Sequence, residues 1–561
     1  MKRSMTVLLL CTVLCAAVFA QKESDFKTGI KGIITAYEGW DTEIVIPSQI
    51  GGVPVTGIGQ KVFKDMGLTS VTIPDGIKRI GDEAFKGNKL TSVIIPDGVF
   101  IGKETFAHNQ LTSLKVGNKV SIGEEAFIYN QLTRFTMGNA GFIDEKAFFG
   151  NKINGFELVL GANINFGPDV FDRYLFFEYM CNDRKAGTYT YNPNTRREGP
   201  KKFGDFSYYE TKYGAVIDGY SGNAGARLII PGKLGEVTVK GIYTGLGSKG
   251  ISRMQLPDGI NFISFGSFRS NTLSDVTIPD SVFFIGEKAF SNNKQLASVT
   301  IPDNVTYIGY EAFLYCNLTS ITIPNNVTQI GGRAFEGNKL VSVTIPNSVT
   351  TIGNSVFDDN QLTSVTIPGS VITIGNSAFT KNKLASVTIP GSVTSIGDHA
   401  FSFNQLTSVT IPGSVITIGN YAFYNNNLTS VSIGNGVAYI GDSAFVTNKQ
   451  LTSVTIPGSV TTIGNNAFSG IPLTAVTIGN GVTQIGNRAF YGHQLNSVTI
   501  PESVTSIGTD AFYSTTLTTV TIGSNVTIER NSFPNSFYNF YEANGRKAGT
   551  YVYSNRQWSI K

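Results

Sequence analysis

The stretch Leu362-Thr-Ser-Val-Thr-Ile-Pro-Gly-Ser-Val-Ile-Thr-Ile-Gly-Asn-Ser-Ala-Phe379-Thr-Lys-Asn-Lys383 is followed by Leu384, where the same pattern begins again. A unit of about 22 residues that returns at a fixed period is the signature of a solenoid, in which each copy buries its apolar face only against its neighbours. Charged residues are 15% of the chain and glycine numbers 62, which suits a turn-rich β protein and not a helical one.

Within the unit, Ser364 and Thr366 alternate with Val365 and Ile367, the period of a half-buried strand. Pro368-Gly369 turns the chain, because proline has no N–H to continue a ladder. Val371 to Ile374 is a second short extended piece ended by Gly375, and Asn376 to Phe379 is predicted as a helical or 3₁₀ turn that buries Ala378 and Phe379. Coils stacked in parallel advance by about 4.8 Å each. An asparagine two positions before the leucine recurs at Asn88, Asn109, Asn130, Asn151, Asn338, Asn360, Asn382 and Asn404. Its amide is expected to point inward and satisfy backbone groups at the bend.

The repeat phenylalanine sets the register. It falls at Phe63, Phe85, Phe106, Phe127, Phe148 and Phe171, then stops. It resumes at Phe268, Phe290, Phe313, Phe335, Phe357, Phe379, Phe401, Phe423, Phe445, Phe468, Phe490, Phe512 and Phe533. Each series is preceded by short β-branched runs (Ile33 to Tyr37 and Val53 to Ile58; Gly214 to Tyr220 and Val237 to Ile242) and followed by Arg-Lys-Ala-Gly-Thr-Tyr-x-Tyr, at 184–191 and 546–553. The pattern reads as one plan used twice: 21–62 a starting cap, 63–171 a first array, 172–202 an end cap with a basic linker, 203–250 a second starting cap, 251–536 a second array and 537–561 a final cap. A single solenoid carrying an inserted loop over 172–250 is the alternative.

Residues 1–20 are of another kind. Lys2 and Arg3 precede an uncharged run from Met5 to Phe19 that closes on Ala20, the pattern of a secretory signal peptide and too short for a spanning helix. Cys11 and Cys15 lie in this run, but Leu10 and Leu14 stand where a lipidation signal carries small residues. Only Cys181 and Cys316 remain beyond it, too few for a disulfide framework. The chain is expected to be exported, with no later segment able to cross a bilayer.

Chemistry finds little to stand on. The histidines His108, His399 and His493 fall in separate coils and are expected to be exposed turn residues, and no His, Cys or acidic spacing matches a metal site. Gly353, Gly375 and Gly397 end strands singly, so no phosphate loop forms, and no serine sits in a Gly-x-Ser-x-Gly elbow. The net charge of +4 is spread out, where a nucleic-acid binder concentrates a basic face. No catalytic residue, cofactor or metal is assigned.

The outward strand positions are the candidate surface. Ser364, Thr366, Ser386, Thr388, Ser408 and Thr410 belong to a hydroxyl-lined strip, read either as a soluble sheet face or as a binding strip. Lys115 and Arg134 break the monotony in the first array, and Arg253 and Gln255 open the second. Tyr421 and Tyr424 belong to a set of aromatics outside the core register, with Phe283, Phe284, Tyr307, Tyr310, Tyr315 and Tyr439. Such residues serve as interface anchors or pack between coils.

Leu-Thr-Ser-Val-Thr-Ile-Pro-x-Ser-Val-Thr-x-Ile-Gly-x-x-Ala-Phe resembles the repeat of the BspA-like leucine-rich repeat family of bacterial surface proteins, over nearly all of 52–171 and 251–536. The resemblance implies a β-rich leucine-rich repeat solenoid, here in two capped arrays. It further implies a secreted or cell-surface protein that binds host matrix proteins, other cells or bacteria and carries no catalytic residues; the ligand expected here is an extracellular protein or glycan, engaged through an extended face. It also makes Cys316, in the asparagine register, a known structural substitute.

Overall fold

The phenylalanines that mark the sequence period form rows of stacked rings. The computed structural model describes residues 22–29, 32–144, 146–151, 157–167, 170, 173–190, 200–223, 225 and 227–561. Phe63, Phe85, Phe106, Phe127 and Phe148 stack with centroids 5.0–5.7 Å apart. The second row runs from Phe268 to Phe533 over the same range, with interplanar angles of 18° or less. The spacing slightly exceeds a strand separation because offset rings rest in contact. Residues 1–20 with Cys11 and Cys15, Phe171, and residues 191–199 lie outside the described residues.

The chain divides into two compact units, residues 1–201 with 209–214, and residues 202–208 with 215–561. In the first, the short strands Gly57–Ile58, Arg79–Ile80, Phe100–Ile101, Ser121–Ile122, Phe142–Ile143 and Asn165–Phe166 join one eight-stranded sheet. In the second, a nine-stranded sheet runs from Thr351–Ile352 to Thr527–Ile528, one strand per coil. Between these ladders and the opposite Ser-Val-Thr-Ile strands lies the core: Leu362, Val371, Ile374, Ala378 and Phe379 are wholly buried, and Val365 is half-buried.

Proline decides how far the opposite ladder runs. Where glycine follows the strand, its N–H bonds the preceding coil: Gly434 to Ile411 (2.9 Å), Gly479 to Ile456 (2.9 Å), Gly117 to Ile95 (2.9 Å), Gly138 to Val116 (3.0 Å). Proline has no N–H to give. The first unit, with glycine at 117, 138 and 161, therefore has one five-stranded sheet here. The second, with proline in most coils, has separate pairs such as Ser408–Ile411 with Ser430–Ile433 and Ser453–Ile456 with Ala475–Ile478. Ser342–Thr344 and Ser364–Thr366 pair despite Pro368, over three residues that stop short of it.

The predicted helical or 3₁₀ turn at 376–379 takes another form. Ser377 and Lys381 adopt φ of 55° and 52°, left-handed values repeated in coil after coil. Amides then alternate in direction: those of Ala378 and Thr380 bond locally, to the carbonyls of Gly375 and Ser377. Those of Ser377, Phe379 and Lys381 bond the next coil, at Asp398, Ala400 and Ser402 (2.8–3.1 Å). A 3₁₀ turn would keep every N–H local and leave the coils unbonded along this edge.

The asparagine ladder forms as expected. Asn382 accepts from the Leu362 N–H (2.9 Å) and donates to the Phe357 and Phe379 carbonyls (2.8 and 3.2 Å). Asn88, Asn109, Asn130, Asn151, Asn338, Asn360 and Asn404 likewise accept from the leucine N–H of the preceding coil. Two exceptions explain themselves. Where two residues instead of one separate asparagine from leucine, the Leu296 and Leu451 N–H groups bond the Asn293 and Asn448 carbonyls of their own coils (2.9 and 3.1 Å). The next coil then needs no acceptor, and that register holds Cys316 and Ile471. Cys316 donates to the Phe290 carbonyl (3.3 Å), and burial pushes its thiol up to about 12, an inert structural cysteine.

The shared octapeptides do the same work in both units. Helix Arg173–Cys181 and helix Phe537–Ala543 are each followed by a strand, Gly187–Thr190 or Gly549–Ser554, laid antiparallel on the last repeat strand. Tyr179 donates to Gly161 O and accepts from Ile164 N (both 2.9 Å), and Tyr541 does so with Gly523 and Val526 (2.6 and 3.3 Å). The added strand covers an edge that would otherwise be open to pairing.

Candidate binding face

Alternation along each strand sends Ser and Thr outward. Ser364 and Thr366 are exposed, and parallel register sets Ser342 beside Ser364 and Thr344 beside Thr366. Ser408 and Thr410 align with Ser430 and Ser432. Ser386 and Thr388 are exposed in a coil whose equivalent segment is not in a ladder. In the first unit Lys115 lies beside Ile94 and Thr136, and Arg134 beside Ser113 and Glu157. Lys115 and Arg134 are exposed, as is Ile94 at 65%. Arg253 and Gln255 are exposed in the strand Arg253–Gln255, whose partners are Arg227 and Ile229.

Tyr421 and Tyr424 are elsewhere, on the turn edge. Tyr421 has φ 56° and stacks on His399 (4.7 Å, 2°), Tyr424 meets it edge-on (5.8 Å), and Phe403 packs against Tyr424 (5.2 Å). The structure thus separates the assigned residues of the second unit into a hydroxyl strip and an aromatic cluster on a different side of the coil. Phe284 and Tyr307 are buried and stacked at 4.6 Å, so they are packing residues, whereas Tyr315 and Tyr439 are exposed.

One histidine departs from expectation. His108 is exposed and His399 half-buried, but His493 occupies the asparagine register and is buried. Its Nδ1 accepts from the Leu495 N–H (2.9 Å) and its Nε2 donates to the Phe512 carbonyl (3.1 Å). Both ring nitrogens are used by the neutral form, and burial lowers its pKa to about 4. The signal was present: His493 stands two residues before Leu495.

Sequence reasoning also missed a crevice of about 360 Å³ on the hydroxyl strip, lined by Asp303, Thr322, Asn325, Ser342 and Thr344 over half-buried Ile321. It lies where Pro324 and Pro346 deprive the ladder of donors. Two prolines in successive coils are the legible trace.

Coils bonded to their neighbours along both sides, a phenylalanine row and an asparagine ladder define a leucine-rich repeat solenoid. The family model described as BspA type leucine rich repeat region (6 copies) matches residues 42–172, 241–340, 306–429 and 416–539, well over half of the chain. The chain belongs to that family. Among solved structures it is similar to a leucine-rich repeat protein from Bacteroides ovatus, at 27% identity and TM-score 0.51, over 60% of this chain and 91% of that one. A leucine rich cell surface protein from Faecalibacterium prausnitzii matches at 24% identity and TM-score 0.34, over 62% and 98%. The pneumococcal vaccine antigen PcpA matches at 21% and 0.36, over 55% and 93%. No curated protein matches the chain. Among the described residues no helix is long and apolar enough to cross a membrane.

Proposed function

We propose that the protein is exported, with residues 1–20 as its signal peptide, and binds an extracellular protein or glycan in the manner of an adhesin. The observation that carries this reading is the pair of exposed Ser/Thr columns in the second unit, in register at Ser342 with Ser364, Thr344 with Thr366, Ser408 with Ser430 and Thr410 with Ser432. A repeated display of this kind binds through many weak contacts, none of which needs a deep pocket. We assign the chain to two capped arrays with the boundaries given above.

Removal of residues 362–427 tests the extended face, because three whole coils leave and Leu428 takes the place of Leu362. Adhesion to matrix or partner cells is expected to fall; undiminished adhesion overturns the reading. Protease shaving of intact cells tests export to the surface. Absence of any saturable ligand across matrix, glycan and cell panels would favour the other class, an envelope scaffold without a dedicated ligand.

A further inference from the structure

The first coil of the second unit departs from the plan that the rest of the chain repeats. From Ile242 to Ile251 it is one residue shorter than the next coil, Ile263 to Leu273, and it reads Tyr-Thr-Gly-Leu-Gly-Ser-Lys-Gly. Leu246 stands where other coils place phenylalanine. A cavity of about 630 Å³ opens here, lined by Thr244, Ser248, Phe265, Arg269, Ser270 and the bare backbone of Gly245, Gly247 and Gly266. That volume lies within the usual range for small-ligand sites, about 300–1,000 Å³.

The same register in the first unit is neutralised. There Lys61 (3.3 Å) and Lys64 reach Glu83, and Lys86 reaches both Glu83 (3.7 Å) and Glu104. Counted from the ring phenylalanines Phe85 and Phe268, Arg269 corresponds to Lys86 and Gly266 to Glu83. The cation is kept and both of its carboxylates are gone, because Gly266 stands for Glu83 and Lys288 for Glu104. Among the described residues no carboxylate lies within ion-pair distance of Arg269. Glu287, which also lines the cavity, is engaged by Lys288. Beside Arg269, Phe265 holds its ring 42% exposed and stacked on Tyr243 (5.3 Å, 12°). A bulky residue at φ 46° sits in a costly conformation.

We propose that this cavity is a binding site for a carboxylate-bearing pyranose at the end of a glycan. The guanidinium of Arg269 takes the carboxylate in a two-point hydrogen-bonded pair. Phe265 offers an aromatic face to the sugar's C–H side, and the Thr244, Ser248 and Ser270 hydroxyls meet its hydroxyls. The glycines admit the ring by carrying no side chains. The site does not depend on the hydroxyl strip, so a chain lacking 362–427 keeps it.

Titration calorimetry of the full chain with sialyllactose, a glucuronic-acid-terminated disaccharide and lactose tests the assignment. At least one acidic sugar is expected to bind about tenfold or more tightly than lactose, and which one binds identifies the source. Arg269→Gln is expected to remove that preference. Gly266→Glu restores one acid of the first unit; the left-handed turn already accepts glutamate at Glu83 (φ 55°), and a Cβ at Gly266 meets nothing closer than 3.7 Å. It too is expected to abolish binding while the melting temperature holds. Equal binding of lactose and both acids, no binding of any of them, or full binding by Arg269→Gln overturns the proposal.

Discussion

Replacing Asn382 by leucine keeps the side chain's bulk and removes its amide. Two buried backbone groups then lose their partners, the Leu362 N–H and the Phe357 carbonyl. The Phe379 carbonyl is spared, because Asn404 also donates to it (2.8 Å). Each orphaned buried group costs about 1–3 kcal/mol, so Asn382→Leu is expected to lower the unfolding free energy by about 4 kcal/mol. Urea unfolding of the full chain followed by circular dichroism reads this as a shifted midpoint of the second unit's transition. The internal control is Ile471→Asn. The Leu451 N–H is already satisfied within its own coil, so restoring the amide there gains no such bond. A loss below about 1 kcal/mol for Asn382→Leu would falsify the view that the amide, and not the fit of the side chain, holds this bend.

Three further expectations follow from single residues or one boundary. The depressed pKa of His493 means the unfolded chain takes up a proton more readily than the folded one. Its contribution is therefore complete above about pH 6.5 and lost as pH falls toward about 4, up to about 3 kcal/mol in all. His493→Asn is expected to flatten that part of the pH–stability curve, and an unchanged curve refutes it. Thr447 is β-branched at φ 67°, in a register that holds Gly470 and Gly492 in the next two coils. Thr447→Asn is expected to raise stability by about 1 kcal/mol, read as a higher melting temperature. Limited proteolysis is expected to cut between Pro193 and Pro200 and leave two stable fragments, as two independently capped arrays require; degradation without stable fragments argues for the single-solenoid alternative.

The period, the inward asparagines, the outward hydroxyls and the turn at proline were all legible in the chain, because each is a local rule repeated until chance is excluded. Phe379 and Asn382 state their burial in every coil. Other features depend on what the neighbouring coil supplies, and no single repeat spells that. Ser377 turns left-handed because its N–H must reach Asp398 one coil on. Cys316 and Ile471 are tolerated because the coil before each is longer by one residue, and His493 is buried because its two ring nitrogens replace an amide. Arg269 gains its meaning only when set beside Lys86, where the same register carries the carboxylate that Gly266 lacks. Sequence alone determined that the coils stack and which side chains they enclose, since apolar burial follows periodicity. Tertiary structure decided which backbone groups meet across coils and where the stack leaves a cavity, since those depend on distances between residues far apart in the chain.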